Sequence, residues 1–180
     1  MTITPYGIIS DSHNHAWSAF SETDADGVNS RLRIILNETL RCAREIKALG
    51  GKRMYHAGDL FHVRGSIAPS VLNPTAEAYA EIAAMGIEVR ALSGNHDLEF
   101  REATRNGSAI TVLEGVGCKI VNTTTYFNDD RVAMISWHQN IESLKKEILE
   151  AAKHIEAMPS PPPLRSMAVS YTHLTLPTKA

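Results

Sequence analysis

Apolar residues recur at helical spacing from about Ser30 to Leu49, where Leu32, Ile35, Leu36, Leu40, Ala43, Ile46 and Leu49 share one face and Gly50-Gly51 stops the pattern. A second helix is predicted after Asn73-Pro74, a cap followed by a first-turn proline, and ends at Met85-Gly86. A third begins after Asn140 and turns Ile141, Leu144, Ile148, Ala152 and Ile155 inward before Pro159. Between these periods lie short apolar runs of strand character near Gly7, Met54, Val89, Lys119 and Ala133. Alternation of strand and helix predicts an α/β fold with functional loops at the carboxyl ends of the strands. The stretch from Gly117 to Ser136, rich in Val, Ile, Thr, Tyr and Phe, reads as a hairpin or meander that opens a second sheet.

Three of the predicted strands run directly into small polar clusters. Asp11-Ser12-His13 follows Tyr6-Gly7-Ile8-Ile9-Ser10, Gly58-Asp59 follows Met54-Tyr55-His56-Ala57, and Gly94-Asn95-His96-Asp97 follows the run from Ile87 to Leu92. Carboxylate, imidazole and amide groups delivered to one sheet edge offer the mixed oxygen and nitrogen donors that divalent first-row metals accept, without the thiolates of a closed zinc site. Asp11 and His13 are two apart, so an extended backbone would send both side chains to one ion. Asp59 has two carboxylate oxygens and is placed to bridge two ions, and the neutral amide of Asn95 would serve the second. Two ions roughly 3.5–4 Å apart activate a water and offset charge on phosphoryl oxygens during an in-line displacement. The departing oxygen still needs a proton; His96 is the expected donor, with Asp97 beside it to orient the ring or keep it protonated.

Composition narrows the partners. The 180 residues are 43% hydrophobic, enough for one core, and the formal charge of −2 supplies no global basic field. Contact with a nucleic acid must therefore rest on the metals and on local cations such as Arg64, Arg101 and Arg105, which flank the polar clusters. Cys42 and Cys118 stand far apart outside any Cys-x-x-Cys pattern and read as free thiols. The N-terminus lacks a secretory pattern and no segment approaches a membrane span, so the expectation is a cytoplasmic protein with no membrane partner.

On Asp11, His13, Asp59, Asn95 and His96 the chain resembles the calcineurin-like metallophosphoesterase superfamily, over roughly residues 5 to 137. Within it, Gly58-Asp59-Leu60-Phe61-His62 followed by a basic, proline-containing loop looks like the SbcD-type DNA repair exonucleases. The resemblance implies a layered αββα sandwich, a two-metal centre with Asp11, His13, Asp59 and Asn95 as ligands, and His96 and Asp97 in catalysis. It also implies a role for His62 in placing a DNA phosphate. Manganese is the implied metal, with Fe, Zn and Mg as alternatives. DNA is the implied substrate, and the full-length parent would pair with an SbcC-like ATPase and form a homodimer. A small-nucleotide phosphodiesterase or a phosphatase would use the same site.

The family pattern also asks for later histidines, one after a further strand and then a Gly-x-His or His-x-His pair. His138 follows an apolar run but at a position that carries no ligand in the family; His15, His56 and His154 read as loop, strand and helix-surface residues. Residues 159–163 read as a proline-rich loop and Ser166 to Val169 as another strand. From Ser170 onward the sequence looks like translated adapter read-through. The expected organisation is therefore a truncated phosphoesterase domain over 1–169 and a non-native tail over 170–180, with an inactive fragment as the alternative to a working enzyme. His173 in that tail is taken as coincidence.

Overall fold

The structure, a computed structural model, describes residues 4–100, 105–138 and 140–158, and the backbone of 166–169. Four parallel strands, β1 (Tyr6–Ile9), β2 (Arg53–His56), β3 (Glu88–Leu92) and β4 (Lys119–Val121), form one sheet in that order. A second sheet joins β5 (Thr125–Phe127), β6 (Val132–Ile135) and β7 (Ser166–Val169), with β5 antiparallel and β7 parallel to β6. Helices α1 (Ser30–Ala48) and α2 (Pro69–Ala84) connect the first three strands, and α3 (Ile141–Ala157) lies between β6 and β7 in the chain. Ile9 pairs with His56 and His56 with Ala91, so β1, β2 and β3 end level and their following loops leave from one edge.

Period-two alternation sorts side chains into layers. Met54, Val89 and Ala91 face α1 and α2, where Leu32, Leu36, Leu40, Ala43, Val71, Ala78 and Ile82 complete the main core. Tyr55 and Leu92 face the other way and meet Phe127, Val132 and Met134 of the second sheet. Ala133 and Ile135, on the far side of that sheet, pack on Leu144, Ala151 and Ile155 of α3. The result is the helix-sheet-sheet-helix sandwich expected from the sequence. α1 is held at its start by Asn29, whose side chain accepts from the amides of Arg31 and Leu32, both at 3.2 Å.

Three local readings change. α2 begins at Pro69, not at Asn73-Pro74, because Pro69 itself occupies the first turn; Pro74 lies inside the helix, near enough to its start that the lost hydrogen bond is tolerated. β4 joins the parallel sheet beside β3, leaving only β5 and β6 as the hairpin of the second sheet. Its partner is set by the Ala109–Val116 3₁₀ segment, which the periodicity did not reveal and which carries the chain back to run parallel to β3. On α3, Ala151 rather than Ala152 is buried and Ile141 is exposed, a small rotation of the inward stripe.

At the end of the sheet opposite the polar loops, Asp130 gathers two arginines and a phenol. Arg53 pairs with Asp130, the Tyr55 hydroxyl donates to it at 2.6 Å, and Arg90 donates to the Tyr55 oxygen at 2.8 Å while lying 4.1 Å over the Phe127 ring. This network links β2 and β3 to the β5–β6 turn. Asp130→Ala leaves the Tyr55 hydroxyl without its acceptor, while Asp129 and Glu88 still pair with the two arginines, so the expected cost is about 1–3 kcal/mol in urea unfolding.

His56, the last residue of β2, is fully buried with Nε2 3.0 Å from the Ser12 hydroxyl oxygen. Burial, only partly opposed by Asp11, lowers its pKa to about 4. The unfolded chain binds the proton more readily, near pH 6.5, so the stabilisation from neutral His56 is complete above that pH and is lost as pH falls toward 4. Relative to His56→Gln, the native protein is expected to lose roughly 3 kcal/mol across that interval. Denaturant unfolding of both proteins at several pH values checks the difference in slope.

Candidate metal centre

Backbone pairing does not stop where β1 and β2 end. Asp11 N–H donates to Gly58 O at 3.1 Å, His13 N–H to Asp59 O at 3.0 Å, Asn14 N–H to Leu60 O at 2.7 Å, and His62 N–H returns to Asn14 O at 3.3 Å. The first two polar loops are thus zipped side by side. Asp11, His13 and Asp59 have φ of 53°, 45° and 54°, and Gly58 has φ of 100°. Side chains of Asp11 and His13 therefore converge through left-handed turns, not through the extended backbone that their spacing suggested. Left-handed non-glycine residues cost of order 1–3 kcal/mol each and cluster where a site needs them. Asp and His are among the residue types that tolerate this region best.

The third loop is pinned to the second by two carboxylates. Asp97 is fully buried and accepts from the amides of Phe61 and Gly94 at 2.8 Å and of Leu60 at 3.2 Å. Burial pushes its carboxyl up to about 7 against the pull of those three donors. Asp59 Oδ1 accepts from the His96 amide at 3.0 Å. Gly94 makes this approach possible: a Cβ there would stand 2.1 Å from Asp59 Oδ1 and 2.2 Å from Asp59 N.

Among the described residues, two groups of three can hold an ion. One donor atom from each of Asp11, His13 and Asp59 lies within 4.8 Å of the others, and the same holds for His13, His62 and His96. His13 Nε2 is 4.0 Å from Asp59 Oδ2, while His13 Nδ1 and His62 Nδ1 are buried without a hydrogen-bond partner. The mixed carboxylate and imidazole set of the first group fits a divalent first-row ion. His96 Nδ1 lies 2.8 Å from the His62 carbonyl oxygen, which can only accept. The Nδ1 proton is thereby fixed, and Nε2 is the nitrogen left to exchange a proton or bind a metal.

Asp11, His13 and Asp59 come together, with His62 and His96 beside them, and Asn95 is half-buried in the loop that carries His96. Asp97 does something other than orient the His96 ring: its hydrogen bonds are to the backbone, and the His62 carbonyl holds the ring instead. His15, read from the sequence as a plain loop residue, and Trp17, which was not singled out, stand 5.1 and 4.5 Å from the His62 ring, with Arg31 4.8 Å above Trp17. Alternating His13, His15 and Trp17 along one loop was the available signal. His138 is half-buried and belongs to neither group of three. His154 stacks on Tyr126 at 4.1 Å, on the helix surface as expected. Burial lowers the pKa of His62, assisted by His13, His15 and His96 around it. Arg64 is exposed in the second loop; Arg105 begins a short 3₁₀ turn, and Arg101 and His173 lie outside the described residues, as does the 170–180 segment.

No protein-family model matches the chain, and no curated protein matches it by sequence. Among solved structures, the Pseudomonas putida nuclease MPE aligns over 70% of this chain and 50% of its own, with a TM-score of 0.42 and 18% identity. The chain thus spans about half the length of that protein. No helix of the described residues is long and apolar enough to cross a membrane.

Gly94→Ala has no flexible neighbour to absorb the added methyl, since the obstruction includes the Asp59 backbone. It is expected to lower stability by about 1–3 kcal/mol and to displace the second and third loops relative to each other. Calorimetric titration with divalent first-row ions should show affinity for any that binds reduced on the order of tenfold or more for a 1.4 kcal/mol loss at the site.

Proposed function

We propose that the chain is a metal-dependent phosphoesterase. Within that class we take the particular activity to be exonucleolytic hydrolysis of DNA phosphodiesters, with manganese as the metal. The observation that supports the class is the convergence of Asp11, His13 and Asp59 at the level ends of β1 and β2, with the free Nε2 of His96 alongside. The nuclease assignment rests on the resemblance of Gly58 to His62 and its following loop to SbcD-type enzymes.

Asp11, His13 and Asp59 would hold one ion, and Asp59 with Asn95 would contribute to a second. Bound divalent ions supply Lewis acidity toward the phosphoryl oxygens and lower the pKa of the attacking water. His96, protonated on both nitrogens, keeps its Nδ1 proton on the His62 carbonyl and gives the Nε2 proton to the departing oxygen. His62 positions the phosphate through its ring and steadies the proton donor through its backbone. Asp97 fixes the register of the loops on which both histidines sit. An SbcC-like ATPase and a second copy of the enzyme are the partners that this reading implies.

His96→Ala is expected to reduce Mn²⁺-dependent hydrolysis of duplex DNA ends by on the order of 10²–10⁴, with Mn²⁺ still bound at Asp11, His13 and Asp59. Rate and metal content measured on the same preparation decide the point. Activity that survives exhaustive chelation would remove the metal mechanism. Comparable rates on a small chromogenic phosphodiester and on DNA, with equal losses in His62→Ala, would favour a small-nucleotide phosphodiesterase instead.

A further inference from the structure

His13, His62 and His96 form a triangle of rings that the hydrolytic scheme uses one at a time. Their centres are 5.0 Å apart for His13 and His96, 5.3 Å for His13 and His62, and 5.7 Å for His62 and His96. Three imidazoles on one tetrahedral ion, with metal–nitrogen distances of about 2.0–2.1 Å, would set their ring centres roughly 5 Å apart. The triangle already has that size. Donor nitrogens of all three lie within 4.8 Å of one another, and the buried Nδ1 atoms of His13 and His62 have no hydrogen-bond partner. The His96 ring is turned by its Nδ1 contact with the His62 carbonyl, the arrangement commonly seen behind a metal-ligating histidine.

We propose that these three histidines are a second cation site, sharing His13 with the carboxylate group and selective for nitrogen-preferring ions of the zinc type, and that its occupation inhibits the enzyme. Three neutral imidazoles suit zinc, copper or nickel better than manganese or magnesium, which favour oxygen. A zinc ion here takes the Nε2 lone pair of His96, so that nitrogen can no longer carry the proton needed by the departing oxygen. His13 belongs to both groups of three, so two ions here would share one imidazole ring and repel each other across it. The two sites are therefore antagonistic, and each ion weakens the other by the same factor. Only the inhibitory consequence rests on the hydrolytic reading; the binding site stands apart from it.

Cobalt(II) is the probe, because its visible absorption is strong in four-coordinate nitrogen-rich sites and weak in six-coordinate oxygen-rich ones. The full chain should give the strong spectrum with one Co²⁺, and Zn²⁺ should displace it. His62→Gln should lose that spectrum and bind Zn²⁺ at least tenfold more weakly, while His15→Gln, whose ring adjoins His62 outside the triangle, should keep both. Asp11→Asn should keep the spectrum as well, since it alters only the carboxylate group. Circular dichroism of each variant establishes that it is folded. A strong spectrum lost in Asp11→Asn and kept in His62→Gln would overturn the site. With binding established, Zn²⁺ added to the Mn²⁺-loaded protein should suppress hydrolysis with the same concentration dependence as Co²⁺ displacement. Unchanged hydrolysis at saturating Zn²⁺ would overturn the inhibition but not the site. Absence of any hydrolysis with Mn²⁺ would count against the phosphoesterase reading alone.

Discussion

The buried carboxylate of Asp97 is the constraint from which the rest of the site follows. Leu60, Phe61 and Gly94 turn their amides away from any strand partner, and buried donors of that kind must be satisfied. One acceptor serves all three, and leaving a buried amide of this kind without its partner costs about 1–3 kcal/mol. Because the three amides come from two different loops, the same group that satisfies them also sets the distance between those loops. Asp59, His62 and His96 inherit their positions from it.

The two ends of the parallel sheet are built on opposite terms. At one end, Arg53, Arg90, Tyr55 and Asp130 lock the strands to the second sheet through paired charges and a stacked ring. At the other, Asp11, His13 and Asp59 hold left-handed backbone. The favourable burial in the layers between supports the unfavourable geometry at the loop end, a division of labour common in sites that must present several polar groups to one point.

How much of this was legible in the sequence depended on whether the signal was local. α1 and α3 carry long helical periods, with Asn140 marking the start of α3, and both helices stand where those patterns put them. The polar clusters after β1, β2 and β3 could be seen as loops at one edge, because parallel strands joined by helices must end on the same side. The start of α2 was obscured by two prolines, either of which could occupy a first turn. Membership of β4 in the parallel sheet depends on a 3₁₀ segment with no sharp period of its own. The carbonyl of His62 and the amides around Asp97 were invisible for a plainer reason: backbone groups have no letter in the sequence, and here they orient the chemistry.

The zipping of the first loop against the second, and of the second against the third, also says when the site comes into being during folding. Ser12 reaches Leu60 across 48 positions and His96 reaches Asp59 across 37, so every convergence described here waits for distant segments to find each other. Local helices can form early, but no ion-binding geometry exists until β1, β2 and β3 are side by side. An ion that recognises this geometry binds the finished sheet and not the open chain, and at 100 times its dissociation constant it would add about 2.7 kcal/mol to the folded state. A divalent ion bound there would then act as a late clamp on a newly folded chain.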